Sequence, residues 1–403
     1  MPHALCSRRL TSPTDNRARA VLDDLQRRHL LRQAPAIENR DGVHYLVDGA
    51  PVVGFCSNDY LGYASAATPA PRSSDRSTVG GAGASRLICG DLPIHREVER
   101  QLASISGCED AVLFASGFQL NVGVLPALLR ATDHVYSDRL IHASMIDGLR
   151  LSECAPQILP HLHAPPARAS EQRRHTDAAA SPLRWWICES LYSMDATRHD
   201  PRQLNAWTAA GHSLYLDGAH DFGLFEGGAG WTQANDVAVD LYVGTLGKAY
   251  GAAGAFVAAT QPICDWIRNT ARSFIFSTAM SPLVADQLLA RVQHVRGADG
   301  DERRATLDAR VGRMAELLEL PIETAIVPLA IGDPTLALSM SRELRACGWH
   351  VQAIRPPTVP EGTSRLRLTL SAAHTPAHLE GLAVAIKTLY RRANHPLRLA
   401  TPP

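Results

Sequence analysis

Lysine is almost missing from this chain. Of its 40 lysine and arginine residues, only Lys248 and Lys387 are lysine. Aspartate and glutamate also number 40, so the formal net charge is zero with histidine neutral. Without an excess of basic charge, the composition gives no support for binding to nucleic acid or to an anionic membrane surface. No run approaches ~18 uninterrupted apolar residues, so the sequence predicts no membrane span.

Patterned cysteine is lacking as well. The eight cysteines include no C-x-x-C pair and no zinc-ligand spacing, which predicts reduced thiols in a cytoplasmic protein. The N-terminal segment is basic but has no apolar core of a signal peptide, so we expect a frayed tail. We expect no metal centre. A metal site formed by His161, His163 and His175, in a segment rich in proline, alanine and arginine, is a minor alternative.

Three common motifs of binding and catalytic sites are also absent. The segment GGAGASRLICG (80–90) is rich in glycine. It has neither the G-x-G-x-x-G spacing after a strand nor the lysine of a P-loop. The segment FASGF (114–118) is not the G-x-S-x-G of a hydrolase nucleophile elbow. The sequence therefore argues against nucleotide-binding folds of these types and against a serine hydrolase.

What is present is a regular alternation of short apolar runs with longer amphipathic segments, from about residue 90 onward. This alternation predicts an α/β fold, a mostly parallel sheet sandwiched by helices. The six predicted strands are 111–116, 134–137, 185–188, 214–217, 241–245 and 254–258.

We predict three parts along the chain: an N-terminal helix and hairpin segment (1–60), a large domain (61–297) and a smaller α+β C-terminal domain (298–403). The first part contains an amphipathic helix over 17–33. It also contains an Asp48-Gly49 pair, which is a typical turn signal between two strands.

Chemically distinctive side chains follow the ends of the predicted strands. In an open parallel sheet the ligand crevice lies at the carboxyl ends of the strands, so we expect these side chains to face one pocket. They are Ser116, His142, Glu189, Asp217, His220, Thr245 and Lys248.

Lys248 lies at a strand end in TLGKAYGAAGAFVA (245–258), crowded by glycine and alanine. Partial burial and nearby cations lower the pKa of an amine and free its lone pair, which suits a Schiff base. A solvated surface lysine is the ordinary alternative, as we expect for Lys387 in the terminal helix. The retention of Lys248 in a chain with so little lysine favours the chemical role.

An aldehyde cofactor bound to such a lysine needs further groups, and the neighbouring strand ends supply them. Pyridoxal phosphate requires a carboxylate at its ring nitrogen. Asp217 is suitable, with a helix cap as the alternative. The phosphate suits backbone N–H groups at a helix start, which Ser116-Gly117-Phe118 supplies. His142 is a candidate to lie against the ring, with a buried core histidine as its alternative.

The chain resembles the α-oxoamine synthases, pyridoxal-phosphate enzymes of the aspartate-aminotransferase fold (fold type I), from about residue 20 to 392. The resemblance implies that fold, with 61–297 as the cofactor-binding domain. The similar segments are FCSNDYLGY (55–63), GAGASRLICG (81–90), LFASGFQLN (113–121), DRLIHAS (138–144), ESLYSMD (189–195), LYLDGAH (214–220), TLGKAYG (245–251), FSTAMSP (276–282) and IRPPTVPEGTSRLRLTLSAAHT (354–375).

The resemblance also implies roles for the matching residues. Lys248 would hold pyridoxal phosphate covalently and move protons at the substrate, Asp217 would pair with the pyridine nitrogen, and His142 would stack on the ring. Arg355 would bind the amino acid's carboxylate, and Arg32 and Asn58 would line the entry for the acyl thioester. The further cofactor contacts would be His220, Ser193 and Glu189 around the ring's 3-oxygen, Thr245 and Ser116–Phe118 at the phosphate, and Ser277 and Thr278 at the phosphate of the other subunit of a homodimer with shared active sites.

The implied activity joins a small amino acid to an acyl-CoA or acyl-carrier-protein thioester, with release of CO2 and the free thiol. The last similar segment favours the biotin-pathway branch of the family, which uses l-alanine and a pimeloyl thioester. Branches that use glycine or serine and a different acyl chain stay open. An aminotransferase is a weaker alternative, and a cofactor-free interaction protein is the weakest.

Several features depart from the family pattern. Asp221 follows His220 where glycine is usual, the loop MDATRHDP (194–201) is bulkier than usual, and the link before GAGAS is short. The segment HLHAPPARA (161–169) stands where His-Asn-Asp is expected. Asp221 adds a carboxylate close to the expected cofactor. Lys248, Asp217 and His142 are themselves unchanged, so we expect the cofactor chemistry to be kept and the acyl substrate to be affected.

Overall fold

The N-terminal part begins with a helix. The computed structural model describes residues 12–28, 30–32, 34–66, 80–166 and 181–402. The frayed tail expected over 1–20 lies outside them up to residue 11, and the expectation is wrong from Pro13 onward, where the chain is helical. Helix α1 spans Pro13–Arg27 rather than the predicted 17–33. It begins earlier because Ser12 caps it: the Ser12 hydroxyl accepts from the Asp15 N–H at 3.1 Å, and the Asp15 carboxylate accepts from the Ser12 N–H at 2.9 Å.

A small sheet follows α1 and contains the predicted hairpin. Strands β1 (Ile37–Asp41), β2 (His44–Val47) and β3 (Ala50–Gly54) are antiparallel neighbours. Asp48 and Gly49 join β2 to β3 with φ of 50° and 79°, as a two-residue hairpin turn requires. A strand from far along the chain, β12 (Trp349–His350), pairs in parallel with β3. The C-terminal part therefore completes the N-terminal sheet.

The centre of the molecule is a seven-stranded sheet in the order β4-β10-β9-β8-β7-β5-β6. The pairs from β9 through β6 are parallel, whereas β10 is antiparallel to both β9 and β4. The predicted mostly parallel sheet is therefore confirmed. The strands are β4 (Asp110–Phe114), β5 (His134–Asp138), β6 (Gln157–Leu159), β7 (Arg184–Glu189), β8 (Ser213–Asp217), β9 (Leu241–Thr245) and β10 (Ala255–Ala259).

The sequence missed β6, and it extended β4 too far. Three residues are too few for β6 to show a periodic pattern. The strand predicted over 111–116 ends at Phe114, because Ser116 already caps the next helix. Within the predicted irregular connection 160–183, the described ends have no regular structure, and 167–180 lie outside the described residues.

Helices cover both faces of the central sheet. Alternate side chains of β4 and β10 enter different cores: Leu113 and Phe256 pack with Leu102 in one, whereas Val112 and Val257 pack in the other. This alternation is what a strand buried on both faces requires. The helices are α2 (Pro93–Ile105), α3 (Gly117–Leu128), α4 (Ala143–Leu151), α5 (Pro201–Ala209), α6 (Trp231–Ala234), α7 (Gln261–Thr270), α8 (Arg272–Ile275) and α9 (Pro282–Val295).

The C-terminal part is a smaller α+β unit with a three-stranded antiparallel sheet in the order β11-β14-β13. Several hydrogen bonds tie it to the N-terminal segment. Among them, the Thr369 N–H donates to the Phe55 carbonyl at 2.7 Å, and His374 Nε2 donates to the Gly54 carbonyl at 2.9 Å. Its elements are α10 (Ala298–Leu318), β11 (Ile326–Gly332), α11 (Pro334–Ala346), β13 (Gln352–Ile354), β14 (Ser364–Thr369) and α12 (Pro376–Arg392).

Among the described residues, no helix combines the length and the apolar character that crossing a membrane requires.

Candidate active site

Lys248 lies in the tight connection between β9 and β10. The Gly251 N–H donates to the Lys248 carbonyl, and the Leu246 N–H donates to the Gly254 carbonyl, both at 2.9 Å. Gly251 and Gly254 have φ of 56° and 107°, which favours residues without a Cβ. A Cβ on Gly251 would lie 2.5 Å from the Tyr63 carbonyl carbon. The turn that carries the lysine is therefore packed against the segment that follows β3.

A row of hydrogen bonds runs from Lys248 into the protein. Lys248 Nζ lies 2.8 Å from His220 Nε2, and His220 Nδ1 lies 2.6 Å from the Tyr60 hydroxyl. Burial lowers the pKa of Lys248 to about 8, although the Asp217 and Glu189 carboxylates act to raise it. Burial and the Lys248 charge hold the pKa of His220 well below its usual value. A neutral imidazole therefore contacts an amine that is partly deprotonated near neutral pH.

Asp217 and His142 are joined through two neutral side chains. Asp217 Oδ2 accepts from Asn121 Nδ2 at 3.0 Å, and Asn121 also donates to Ser144 Oγ at 2.9 Å. Ser144 Oγ lies 2.8 Å from His142 Nδ1. Asp217 is buried at the end of β8, whereas His142, the cap of α4, is exposed. The imidazole is therefore fixed in position but accessible to a ligand.

Glu189 fixes the backbone at His142. Its Oε1 accepts from the His142 N–H at 2.6 Å, across the gap between β7 and the loop after β5. Burial, followed by the Asp217 charge, raises the pKa of Glu189 well above its usual value. A buried carboxyl in this position orders the loop that presents the imidazole.

The start of α3 presents backbone donors at the surface. Ser116 caps the helix, and its hydroxyl accepts from the Gln119 N–H at 3.2 Å. Ser116 and Phe118 are exposed, and Gly117 is partly so. Thr245, at the end of β9, donates from Oγ1 to the Gly254 carbonyl at 3.3 Å. Free N–H groups at a helix start suit an anion.

Ser277 and Thr278 lie on an exposed segment beside residues 84–90. Thr278 forms an antiparallel bridge with Ser85, and the Ala279 N–H donates to the Ala84 carbonyl at 3.0 Å. Within the described parts of the chain, neither hydroxyl is hydrogen-bonded to Lys248 or to its partners. Two large apolar side chains beside this segment are exposed, Ile88 by 79% and Phe276 by 72%.

The three substrate candidates divide into two groups. Asn58 Oδ1 accepts from both terminal nitrogens of Arg367, at 3.2 and 3.1 Å. Arg355 and Arg32 lie together instead: burial and the Arg32 charge lower the pKa of Arg355, and its Nη2 donates to the Leu31 carbonyl at 3.2 Å. Arg32 donates to the Thr358 hydroxyl at 2.9 Å.

Arg367 is one of the site residues that the sequence reasoning missed. The others described above are Tyr60, Asn121 and Ser144. Arg367 lies within β14, and its Nε donates to the Ser193 carbonyl at 2.6 Å. Its charge acts to lower the pKa values of both Lys248 and His220. The signal was present in SRLRLTLS, where two arginines alternate with leucine in a buried strand and so point to one face.

The histidine-rich stretch has a structural explanation. His161 Nδ1 lies 3.0 Å from Asp138 Oδ1, and its Nε2 lies 2.7 Å from the Thr197 hydroxyl. His163 Nδ1 lies 3.1 Å from the His161 carbonyl, and His175 lies outside the described residues. Over the parts of the chain that are described, no group of three or more histidine, cysteine or acidic side chains is arranged to hold a metal ion.

Comparison with known proteins points to one family. Residues 50–386 match the class I and II aminotransferases. An 8-amino-7-oxononanoate synthase of Herminiimonas arsenicoxydans is 38% identical over 384 residues, which cover 90% of this chain and 96% of that protein. Many further curated proteins are similar, and those of this enzyme name recur among them.

Solved structures show the same fold. A serine palmitoyltransferase of Sphingomonas wittichii superposes with a TM-score of 0.80 at 22% identity, over 96% of this chain and 99% of that chain. An 8-amino-7-oxononanoate synthase of Francisella tularensis superposes with a TM-score of 0.67 at 21% identity, over 85% of this chain and 98% of that chain.

Proposed function

We propose that this chain condenses l-alanine with a pimeloyl thioester to give 8-amino-7-oxononanoate, CO2 and the free thiol. The chain belongs to the class I and II aminotransferase family and, within it, to the α-oxoamine synthases. It is a pyridoxal-phosphate-dependent acyltransferase. The observation that carries the proposal is the buried row Lys248–His220–Tyr60 beside the Asp217 carboxylate.

The side chains present fit pyridoxal phosphate. Lys248 offers an amine of lowered pKa to its aldehyde, and Asp217 offers a buried carboxylate to its ring nitrogen. His142 is free to lie against the ring, and the N–H groups at the start of α3 with Thr245 suit the phosphate. When bound, this cofactor supplies an aldehyde that bonds covalently to an amine and a ring that withdraws electrons from the amino acid.

Lys248 would remove the proton from the α-carbon of the amino acid. With a pKa of about 8, part of the population is free amine near neutral pH, as a general base requires. When the amine is neutral, the Tyr60 hydroxyl donates to His220 Nδ1, and Nε2–H donates to Nζ. When the amine is protonated, Nζ donates to His220 Nε2, and His220 Nδ1–H donates to the Tyr60 hydroxyl oxygen. The row therefore supports Lys248 in both protonation states.

Two guanidinium groups are candidates to bind the amino acid's carboxylate. We propose Arg355 from the family resemblance, because a planar guanidinium can hold a carboxylate with two hydrogen bonds. Arg367 is the alternative because its charge reaches Lys248 and His220. Arg32 and Asn58 are proposed to line the entry for the thioester of CoA or of an acyl-carrier protein.

The active form is proposed to be a homodimer with shared active sites, in the cytoplasm. Ser277 and Thr278 would then reach the phosphate bound by the other subunit. The exposed Ile88 and Phe276 beside them support an interface, because large exposed apolar patches commonly mark association surfaces. The unpatterned cysteines support a reducing compartment.

The test begins with the colour of the purified enzyme. With pyridoxal phosphate bound, the wild type should absorb visible light, and Lys248→Ala should lose the lysine-dependent band. Lys387→Ala is the matched control, because Lys387 is the second lysine and pairs at the surface with Glu319 at 2.6 Å. A colourless wild type contradicts the enzyme assignment.

The substrates are then tested with a panel of amino acids crossed with acyl-CoA chain lengths, read by thiol and CO2 release. Alanine with pimeloyl-CoA should react best. If glycine or serine, or another acyl chain, gives a much higher kcat/KM, the assignment moves to another branch of the α-oxoamine synthases.

A further inference from the structure

Asp221 is a buried carboxylate that the proposed chemistry does not use. It directly follows His220 in the chain, and it is 0% exposed. Whether Lys248 is protonated or neutral, the hydrogen bonds between Lys248, His220 and Tyr60 are complete without Asp221. A buried ionised carboxylate is costly unless donors satisfy it, so its surroundings should reveal why it is there.

Three donors from different segments converge on the Asp221 carboxylate. The Tyr242 hydroxyl, from β9, donates to Oδ1 at 2.8 Å, and the Trp231 N–H, at the start of α6, donates to Oδ1 at 3.2 Å. The Ser190 hydroxyl, just after β7, donates to Oδ2. The carboxylate therefore ties together β7, β9 and the start of α6 beneath the turn that carries His220.

The backbone around this carboxylate is packed to accommodate it. The Asp221 N–H donates to the Gly218 carbonyl at 3.1 Å, which closes the turn after Asp217. A Cβ on Gly218 would lie 2.2 Å from the Tyr242 hydroxyl, and one on Gly230 would lie 2.0 Å from it. The phenol thus lies directly against two glycines, so its hydroxyl and the carboxylate are held in one arrangement.

The Asp221 carboxylate is also linked to the residues at the ends of β7 and β8. The Ser190 N–H donates to the Asp217 carbonyl at 3.0 Å, so the donor to Asp221 also fixes the end of β8. Glu189 immediately precedes Ser190, and His220 immediately precedes Asp221. A shift of the carboxylate would therefore move the imidazole that lies 2.8 Å from Lys248 Nζ.

We propose that Asp221 is a positioning residue, whose buried carboxylate holds the turn that presents His220 to Lys248. Its charge has a second effect on the amine, because Asp221 acts to raise the pKa of Lys248 while burial lowers it. The proposal rests on Lys248 and His220 acting in the active site described above, but it does not depend on which amino acid or thioester is used. The charged or titratable groups that face Lys248 are Asp217, Glu189, Arg367, Asp221, His220 and His142. Burial raises the pKa of Asp221, whereas its three donors and the charge of Arg198 act to lower it.

The first experiment measures the Lys248 amine without substrate or cofactor. Trace acetylation of the apoprotein with acetic anhydride at a series of pH values, followed by peptide mass spectrometry, gives the titration midpoint of each lysine. Because the chain has only two, Lys387 is an internal reference. In Asp221→Asn the Lys248 midpoint should move to lower pH, since a negative charge that stabilises the ammonium is gone, and the Lys387 midpoint should not move.

The second experiment separates position from charge in the cofactor-loaded enzyme. Asp221→Asn keeps an acceptor for Tyr242 and Trp231, whereas Asp221→Ala leaves all three donors without one. Asp221→Ala should therefore lower kcat about 10²-fold, as expected for a misplaced reacting group, with the KM for the amino acid little changed. Asp221→Asn should lose much less, and Tyr242→Phe should fall between wild type and Asp221→Ala.

Asp133→Ala is the matched control. Asp133 is also buried, and it accepts backbone N–H groups from Arg130 at 3.0 Å and Leu183 at 2.9 Å, but it precedes β5 at the opposite end of the sheet. Asp133→Ala should leave both the titration midpoint of Lys248 and kcat near their wild-type values. An unmoved midpoint in a folded Asp221→Asn, or equal kcat in Asp221→Ala and wild type, overturns the proposal. Loss of activity toward alanine in every variant and in wild type contradicts only the proposed substrates.

Discussion

At the scale of single residues, the two guanidinium groups can be distinguished by what they bind. If Arg355 holds the amino acid's carboxylate, Arg355→Ala should raise the KM for alanine by about 10–100-fold, since a charge-assisted contact contributes about 1.5–3 kcal/mol. Its neighbour Arg32 gives the control: Arg32→Ala should raise the KM for the thioester and leave the KM for alanine near wild type. An unchanged KM for alanine in Arg355→Ala, with an increase in Arg367→Lys, assigns the carboxylate to Arg367.

Single residues also show how far the sequence could predict the site. Lys248, Asp217 and His220 follow parallel or adjacent strands, so their meeting follows from the topology alone. Arg367 could not be placed that way, because it sits inside a strand of a different sheet. Its approach to Asn58 depends on how the two parts of the chain pack, which no local pattern encodes.

At the scale of structural elements, the turn between β9 and β10 depends on Gly251. Alanine there should lower the free energy of unfolding by more than about 2 kcal/mol, because a left-handed φ alone costs roughly 1–2 kcal/mol for an L-residue and its Cβ would overlap the Tyr63 backbone. Gly247→Ala is the matched control, since its Cβ would meet only the Ala252 carbonyl at 3.7 Å. Denaturant unfolding should place that control within about 0.5 kcal/mol of wild type.

The contact between the C-terminal part and β3 should be sensitive to acid. Burial lowers the pKa of His374 from 6.5 to about 4. Between these values the unfolded chain binds more protons than the folded one, so stability falls as the pH falls through this window. At about 1.4 kcal/mol per pKa unit, the loss is about 3 kcal/mol.

His374→Asn checks this acid dependence. The variant should be less stable at pH 7, because the bond to the Gly54 carbonyl is altered, but its stability should change less between pH 6.5 and 4. The exposed His134→Asn should keep the wild-type slope. Equal slopes in wild type and His374→Asn contradict the assignment of this titration to His374.

The elements themselves were predictable to different degrees. The strands that end at Asp217 and Thr245 were found because each is a continuous apolar run on both faces. Strand β6 was missed because Gln157–Leu159 is too short, and β12 was missed because its pairing with β3 spans most of the chain. Helix α1 begins at Pro13 rather than at the predicted residue 17, because Ser12 caps the helix before the apolar periodicity starts.

At the scale of the whole molecule, the proposed homodimer can be tested through its exposed apolar side chains. Ile88→Glu should convert the assembly to single chains of 43.6 kDa, because a charge would be buried without a partner, and it should weaken cofactor binding. Val384→Glu is the control, since Val384 is similarly exposed at 68% but lies on α12 of the C-terminal part. Light scattering after gel filtration gives the mass. A dimeric Ile88→Glu protein with full cofactor content contradicts this interface.

The fold class was predictable from the sequence because strand and helix periods alternate over most of the chain. How the N-terminal and C-terminal parts share one sheet was not, since β3 and β12 show no local sign of each other. The packing of these two parts brings Asn58 to Arg367, two residues 309 positions apart.

This separation should delay the contact between Asn58 and Arg367 during synthesis. Asn58 leaves the ribosome early, yet its guanidinium partner is translated more than three hundred codons later. A nascent chain halted before β14 would carry Lys248, the proposed attachment point of the cofactor, but not Arg367. Binding of pyridoxal phosphate should therefore occur late in synthesis. In stalled ribosome complexes that carry chains of increasing length, the retained cofactor should increase abruptly once β14 leaves the exit tunnel.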